Sequence, residues 1–193
     1  MEEKLRQHKE ILGQVSDLNQ VAGLLGWDQQ TYMPPGAAEG RGYQTSTLRT
    51  LAHIKFTSDE VGQLLEDLQT YAGQLDADVD DARLIRVTQR EYTKSTRVPA
   101  EMVGEFSRAA AVAHNVWEEA RAESNFEYFR PHLEHLVDLR RQYAELFAPY
   151  EHVYDPLLDD FEPGLKTADV LAIFNTLRPQ QVALIQEISA QPP

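Results

Sequence analysis

The stretch GWDQQTYMPPGAAEGR, residues 26–41, decides how the chain reads, because it ends one helical pattern and begins another. Upstream of it, Leu5, Leu12, Val15, Leu18, Val21, Leu24 and Leu25 recur at the three- and four-residue spacing of a helix face. That stripe predicts a first helix reaching about Trp27. Pro34 and Pro35 disfavour helical geometry at the residue before them, yet a proline is well tolerated in a first helical turn, where its missing N–H has no partner to lose. A second helix is therefore predicted from about Pro35 to Ile54. Between them lies a turn holding Trp27, Tyr32 and Met33. Such residues at a helix junction read first as core plugs that fix an interhelical angle.

The same periodicity extends along the rest of the chain, and strand signals are scarce. Thr57 followed by Glu60 has the form of a capping box opening a helix through Val61, Leu64, Leu65 and Leu68. The acidic run DADVDDA, residues 76–82, suits the positive end of a helix dipole and predicts a helix carrying Leu84, Ile85, Val87 and Tyr92 to about Thr96. A long helix is predicted from Pro99 to about Glu123, its AAAVAHNVW segment permitting close helix contact, and another from near Pro131 to Pro149. YEHVYDPLLDDFEPG, residues 150–164, is a second irregular stretch too apolar for a plain loop, bounded by a Pro-Gly turn. Thr167 is then expected to cap a last helix through Val170, Leu171, Ile173, Phe174 and Leu177, kinked at Pro179 before Val182, Leu184, Ile185 and Ile188. The ending AQPP reads as a linker. The expected fold is all-α, an array of about seven helices in a single domain spanning 1–193.

Composition narrows the function. A chain of 193 residues with 42% hydrophobic and 25% charged residues has globular values. It contains no apolar run of about 18 residues that would span a bilayer. The opening MEEKLRQHKE lacks the features of a secretory leader, so a cytoplasmic location is expected. The absence of cysteine excludes disulfides, thiol nucleophiles and thiolate metal sites. A formal charge of −13 repels phosphate backbones and anionic membranes, so neither nucleic acid nor a membrane is an expected partner.

No complete catalytic motif is present. A zinc-peptidase helix places two histidines four apart with a glutamate between, so that both rings face one metal. The nearest approach is HLEH, His132 to His135, whose histidines are three apart and share a helix face with Glu134 between them. That spacing matches neither the forward nor the inverted motif. No serine sits in a glycine-flanked elbow, and neither glycine cluster, Gly23 with Gly26 or Gly36 with Gly40 and Gly42, follows a strand or carries a P-loop lysine. Asp155, Asp159, Asp160 and Glu162 crowd around Tyr154 and Phe161, where like-charge repulsion could raise one carboxyl pKa. The alternative is an acidic helix end with aromatic anchors.

Three segments in register carry a resemblance. LLGWDQQTYMPPGAAEGRGYQ at 24–44, REYTKSTRVPAEMV at 90–103 and APYEHVYDPLLDDFEPGLKTADV at 148–170 resemble the N-terminal part of the M32 metallocarboxypeptidases, the carboxypeptidase Taq family. The intervening ARAESNFEYFRPHLEHLVDLRRQYAELF is similar too. The resemblance implies an all-helical peptidase, usually a homodimer, that removes C-terminal residues from peptides with zinc or cobalt held by an HEXXH helix and a downstream glutamate. None of those ligands has a counterpart here, so this chain is expected to supply no catalytic residue, no metal ligand and no cofactor. It looks like the N-terminal helical portion with the catalytic half absent, inactive alone. Its expected partner is that half or a second copy of itself. Trp27, Asp28, Tyr32, Tyr154, Asp155 and Glu162, in the densest matches and least ordinary turns, are the candidates for cleft-lining or interdomain positions. Two other readings stand beside this one: a stand-alone helical interaction or regulatory module, and an autonomous hydrolase using the HLEH face.

Overall fold

The structure, a computed structural model, describes residues 1–34 and 36–191. Among them are eight helices and no strand: α1 (Glu2–Thr31), α2 (Ala38–Phe56), α3 (Asp59–Ala72), α4 (Asp80–Ser95), α5 (Ala100–Ala122), α6 (Phe126–Glu145), α7 (Asp155–Asp159) and α8 (Thr167–Ser189). The expected helix start at Pro35 and the last two prolines of AQPP fall outside the described residues. Two compact units divide the chain, the first Met1–Arg140 and the second from Arg141 onward.

In the first unit, α2 packs along both α1 and α5, while α3 lies against α1 and α4. Two kinds of core result. Leu5 and Ile11 of α1, Val61, Leu64, Leu65 and Leu68 of α3, and Ile85 of α4 form an apolar cluster, edged by Tyr71, Ala72 and Tyr92. Where α1, α2 and α5 meet, the buried residues are small instead: Ala22, Gly42, Ala52, Gly104, Ala111 and Ala113. The α5 alanines thus permit the close contact expected of them. Gly104 shows how close, since a Cβ there would lie 2.9 Å from Thr50 Oγ1 and 3.0 Å from Ser46 Oγ. Ser46 uses the same proximity to donate to the Gly104 carbonyl at 2.9 Å. Val21 and Leu24 of the predicted α1 stripe lie exposed.

Several boundaries differ from expectation, each for a local reason. Helix α1 runs one turn beyond Trp27, to Thr31. Thr57 does not open α3. Its hydroxyl donates back to the His53 carbonyl at 2.8 Å, while Ser58 is the N-cap, accepting from the Val61 N–H at 3.4 Å. Glu60, the other half of the expected box, accepts instead from Gln7 of α1 at 2.7 Å. Adjacent Thr57 and Ser58 both suit an N-cap, and only the course of α2 decides between them.

Helix α6 starts at Phe126, upstream of the expected Pro131, which it contains. The preceding turn makes this possible. Helix α5 ends in a Schellman motif, with the Asn125 N–H bonded to the Ala120 carbonyl and Ser124 to that of Arg121, and Ser124 in the left-handed region at φ 51°. Asn125 Oδ1 then accepts from the Tyr128 N–H at 3.3 Å, starting α6 before the proline is reached.

In the second unit, the acidic stretch contains the extra helix α7, opened by Pro156. The expected Pro-Gly turn follows, with Gly164 at φ 83° and its N–H held by Asp159 Oδ1 at 2.8 Å. Thr167 is the first residue of α8 rather than its cap, and Asp169 reaches back to the Lys166 N–H. Helix α8 continues through Pro179 to Ser189 and buries none of its residues.

Candidate functional site

The quoted turn is built around two inward-facing polar residues. Asp28 pairs with Arg41 at 2.6 Å, thirteen residues on, and Arg41 also donates to the Leu25 carbonyl. One guanidinium, its side chain 12% exposed, thus bonds both the Asp28 carboxylate and the Leu25 carbonyl in the last turns of α1 and ties that end to α2. Gln29 donates to the Ala111 carbonyl and to Asn115 Oδ1, both at 2.9 Å, which fixes the same turn to α5. With those two side chains inward, Trp27 and Tyr32 face outward, 55% and 74% exposed, in an edge-to-face pair with centroids 5.6 Å apart. They are not the core plugs that helix-junction aromatics ordinarily are.

The second irregular stretch has the same logic with different chemistry. Asp155 is buried at 5% exposure. Its carboxylate accepts from the Thr167 hydroxyl at 2.7 Å, the Thr167 N–H at 2.8 Å and the His152 N–H at 3.2 Å, with Lys166 Nζ at 3.7 Å. The Thr167 hydroxyl and N–H, with help from the His152 N–H and the Lys166 charge, hold the carboxyl at about 2. The acidic cluster therefore does not raise this pKa. A carboxyl so firmly ionised is a poor general acid and a weak base, and Asp155 acts as a clip between α7 and the start of α8. Tyr154 and Glu162 lie exposed beside it, as does Phe161.

The first unit also holds a cleft of about 550 Å3. Helix α2 contributes Glu39 and Tyr43, α5 contributes Glu105, Arg108, Val112 and Glu119, and α6 contributes Tyr128, His132 and His135. None of the six sequence candidates lines it. Its carboxylates are mostly engaged: Glu105 accepts from Arg108 and faces His135 Nε2 at 2.9 Å, while Tyr128 donates to Glu119 at 3.2 Å. Arg108 and then His135 hold the Glu105 carboxyl below the usual range, and Glu119 pushes the Tyr128 phenol up. His132 and His135 of HLEH do share one wall. Among the described residues, however, no group of three or more His, Asp or Glu is placed to hold a metal ion.

The model of the carboxypeptidase Taq (M32) metallopeptidase family matches residues 7–193. The chain belongs to that family. It is 28% identical over 181 residues to Carboxypeptidase 1 of Bacillus subtilis, covering 94% of this chain and 36% of the relative. Against Thermostable carboxypeptidase 1 of Thermus thermophilus it is 31% identical over 180 residues, covering 89% and 35%. A crystal structure of BsuCP superposes with a TM-score of 0.90 at 26% identity, covering 97% of this chain and 37% of that one. An M32 carboxypeptidase from Deinococcus radiodurans gives 0.73 at 33% identity, covering 98% and 38%. The M32 chain described here thus spans little more than a third of the relatives it matches. Among the described residues no seat forms for the metal that a metallopeptidase requires, since His135 is turned to Glu105 and no group of three donors comes together.

The residues that sequence reasoning missed are Arg41, Gln29 and the cleft-wall residues other than His132 and His135. Arg41 and Gln29 work through partners 13 and 82 or more positions away, and the cleft combines three helices, so no local spacing marks them.

Proposed function

We propose that this chain is the N-terminal, non-catalytic portion of a metal-dependent carboxypeptidase, serving to pack against the catalytic remainder and to wall its substrate cleft. The parent removes C-terminal amino acids from peptides in the cytoplasm, with zinc or cobalt held by the remainder and with two copies forming a dimer. Alone, the chain is inactive. The observation that carries the reading is α8, which lies inside the family match yet leaves Leu171, Ile173, Phe174, Leu184, Ile185 and Ile188 exposed. Burying a side chain of this kind is worth about 1.5–3 kcal/mol, and monomers seldom expose contiguous apolar patches above a few hundred Å2. In the first unit Trp27 and Tyr32 face outward on the turn that Asp28 holds, and in the second Tyr154 and Phe161 do so on the turn that Asp155 holds. Glu162 is exposed next to Phe161 in the chain.

The remainder of Bacillus subtilis Carboxypeptidase 1, produced separately, supplies a test. On mixing, hydrogen exchange should slow along α8 and around Trp27 and Tyr32, and sedimentation should show a heavier species. Without the added remainder, the exposed faces should drive self-association. A chain that stays strictly monomeric and gains no protection on mixing contradicts the proposal.

A further inference from the structure

The N-terminal half of α1 holds a histidine where apolar residues would serve packing better. His8 is 0% exposed, and neither ring nitrogen has a hydrogen-bond partner among the described residues. It lies one helical turn from Leu5 on one side and from Ile11 on the other, both members of the apolar cluster that joins α1 to α3 and α4. A neutral imidazole there leaves one N–H unbonded, a modest cost. An imidazolium would place two unbonded donors and a charge in the same dry space, which costs far more. Burial accordingly pushes the proton affinity of the ring below that of an ordinary histidine.

We propose that His8 is a pH-sensitive pin, releasing the N-terminal half of α1 from α3 and α4 when the surroundings turn mildly acidic. The charged groups around it are committed elsewhere. Asp67 of α3 pairs with Lys4 at 2.6 Å, Glu60 of α3 accepts from Gln7 at 2.7 Å, and Asp81 of α4 pairs with Lys9 at 2.6 Å. On α1 itself Arg6 is held between Glu3 and Glu10. Asp59 and Glu66 of α3 and Asp80 of α4 are exposed, Arg83 is paired with Asp78, and Arg90 with Glu91. Tyr71 and Tyr92 pack against the cluster as partly buried rings. No carboxylate contributes to the His8 shift, so nothing in the closed arrangement compensates a proton on the ring.

The direction follows from linkage. Closed, the ring stays neutral; released, it binds a proton with the ordinary affinity of 6.5. The closed form is therefore fully favoured above that value and loses ground as pH falls below it. Between pH 7 and pH 5 the opening equilibrium of this segment should rise, by up to roughly 25-fold for a closed ring that takes no proton at all. The other half of α1 keeps its anchors at Ala22, Gln29 and Asp28, so the release is confined to the first turns and to the apolar faces of α3 and α4 beneath them.

Hydrogen exchange on the full chain at pH 7 and pH 5, corrected for the intrinsic rate, reads this directly. Amides of residues 2–11 should lose protection, by up to roughly 25-fold, and the loss should vanish in both His8→Leu and His8→Gln, which cannot titrate. Equal losses in the variants, or none in the wild type, would overturn the proposal. Should either variant fail to fold, the wild-type ring titration followed by NMR decides. A midpoint below the ordinary 6.5 is expected, and one at or above 6.5 overturns the pin.

Discussion

The two irregular stretches, residues 26–41 and 150–164, solve one problem in two ways. Each turns an inward carboxylate toward the helix that follows, and each leaves aromatic rings outside. At the first, Asp28 meets a permanent cation, Arg41. At the second, Asp155 meets the hydroxyl and N–H groups of Thr167, with Lys166 only at 3.7 Å. The difference teaches that the aromatic residues are not what holds either turn. Polar clips fix the backbone, and the rings are left over as surface. It also gives the turns different sensitivities, since an ion pair responds to salt and a carboxylate satisfied by neutral donors responds mainly to its own protonation.

The largest effect should come from breaking the second clip. Asp155→Ala removes the acceptor for three donors, so the start of α8 should lose hydrogen-exchange protection, with the first unit unaffected. Asp155→Asn should retain part of that protection, because the amide oxygen still accepts. Acid should reproduce the loss without a mutation. The folded carboxyl sits at about 2 against an ordinary 3.8, so its stabilisation is present above about pH 4, fades as pH falls between those values and is gone below them. Far-UV circular dichroism and exchange across this window should show the second unit loosening, and Asp155→Ala should abolish that component.

Next in size is the first clip. Asp28→Ala leaves the partly buried Arg41 guanidinium without its charged partner and should cost about 2 kcal/mol in denaturant unfolding. High salt should narrow the gap between this variant and the wild type, whereas it should leave the Asp155 contrast nearly unchanged. Smallest should be the aromatic pair. Trp27→Ala with Tyr32→Ala should change the stability of the isolated chain by no more than about 0.5 kcal/mol, as expected of exposed side chains. A loss of about 2 kcal/mol there would mean that the rings, not the clips, hold the turn, and the comparison would fail.

Helix identity was legible because a buried stripe repeats at helical spacing, and Leu64, Leu65, Leu68 and Ile85 lie in the core as their spacing implied. The seams that α2 makes with α1 and α5 were less so, because Ala22 and Gly104 bury backbone rather than large side chains and leave little periodic signal. Boundaries failed where neighbours had equal local claims, as Thr57 and Ser58 did, and α7 is too short for periodicity to report. The stripe on α8 was read correctly as a helix face, but an apolar stripe does not say what covers it. Of the cleft-lining or interdomain candidates, Asp28 and Asp155 make the polar contacts of clips, and Trp27, Tyr32, Tyr154 and Glu162 lie exposed. That division depends on Arg41 and Thr167, partners that local pattern does not identify.

The most direct measurement of the central claim is a carboxypeptidase assay on the purified chain, with zinc or cobalt added and an N-blocked dipeptide as substrate, against a metal-free control. The expected result is no release of the C-terminal amino acid by the chain alone. Metal-dependent release that disappears in the His132→Ala, His135→Ala double variant would contradict it, and would place an active site in the cleft between α2, α5 and α6.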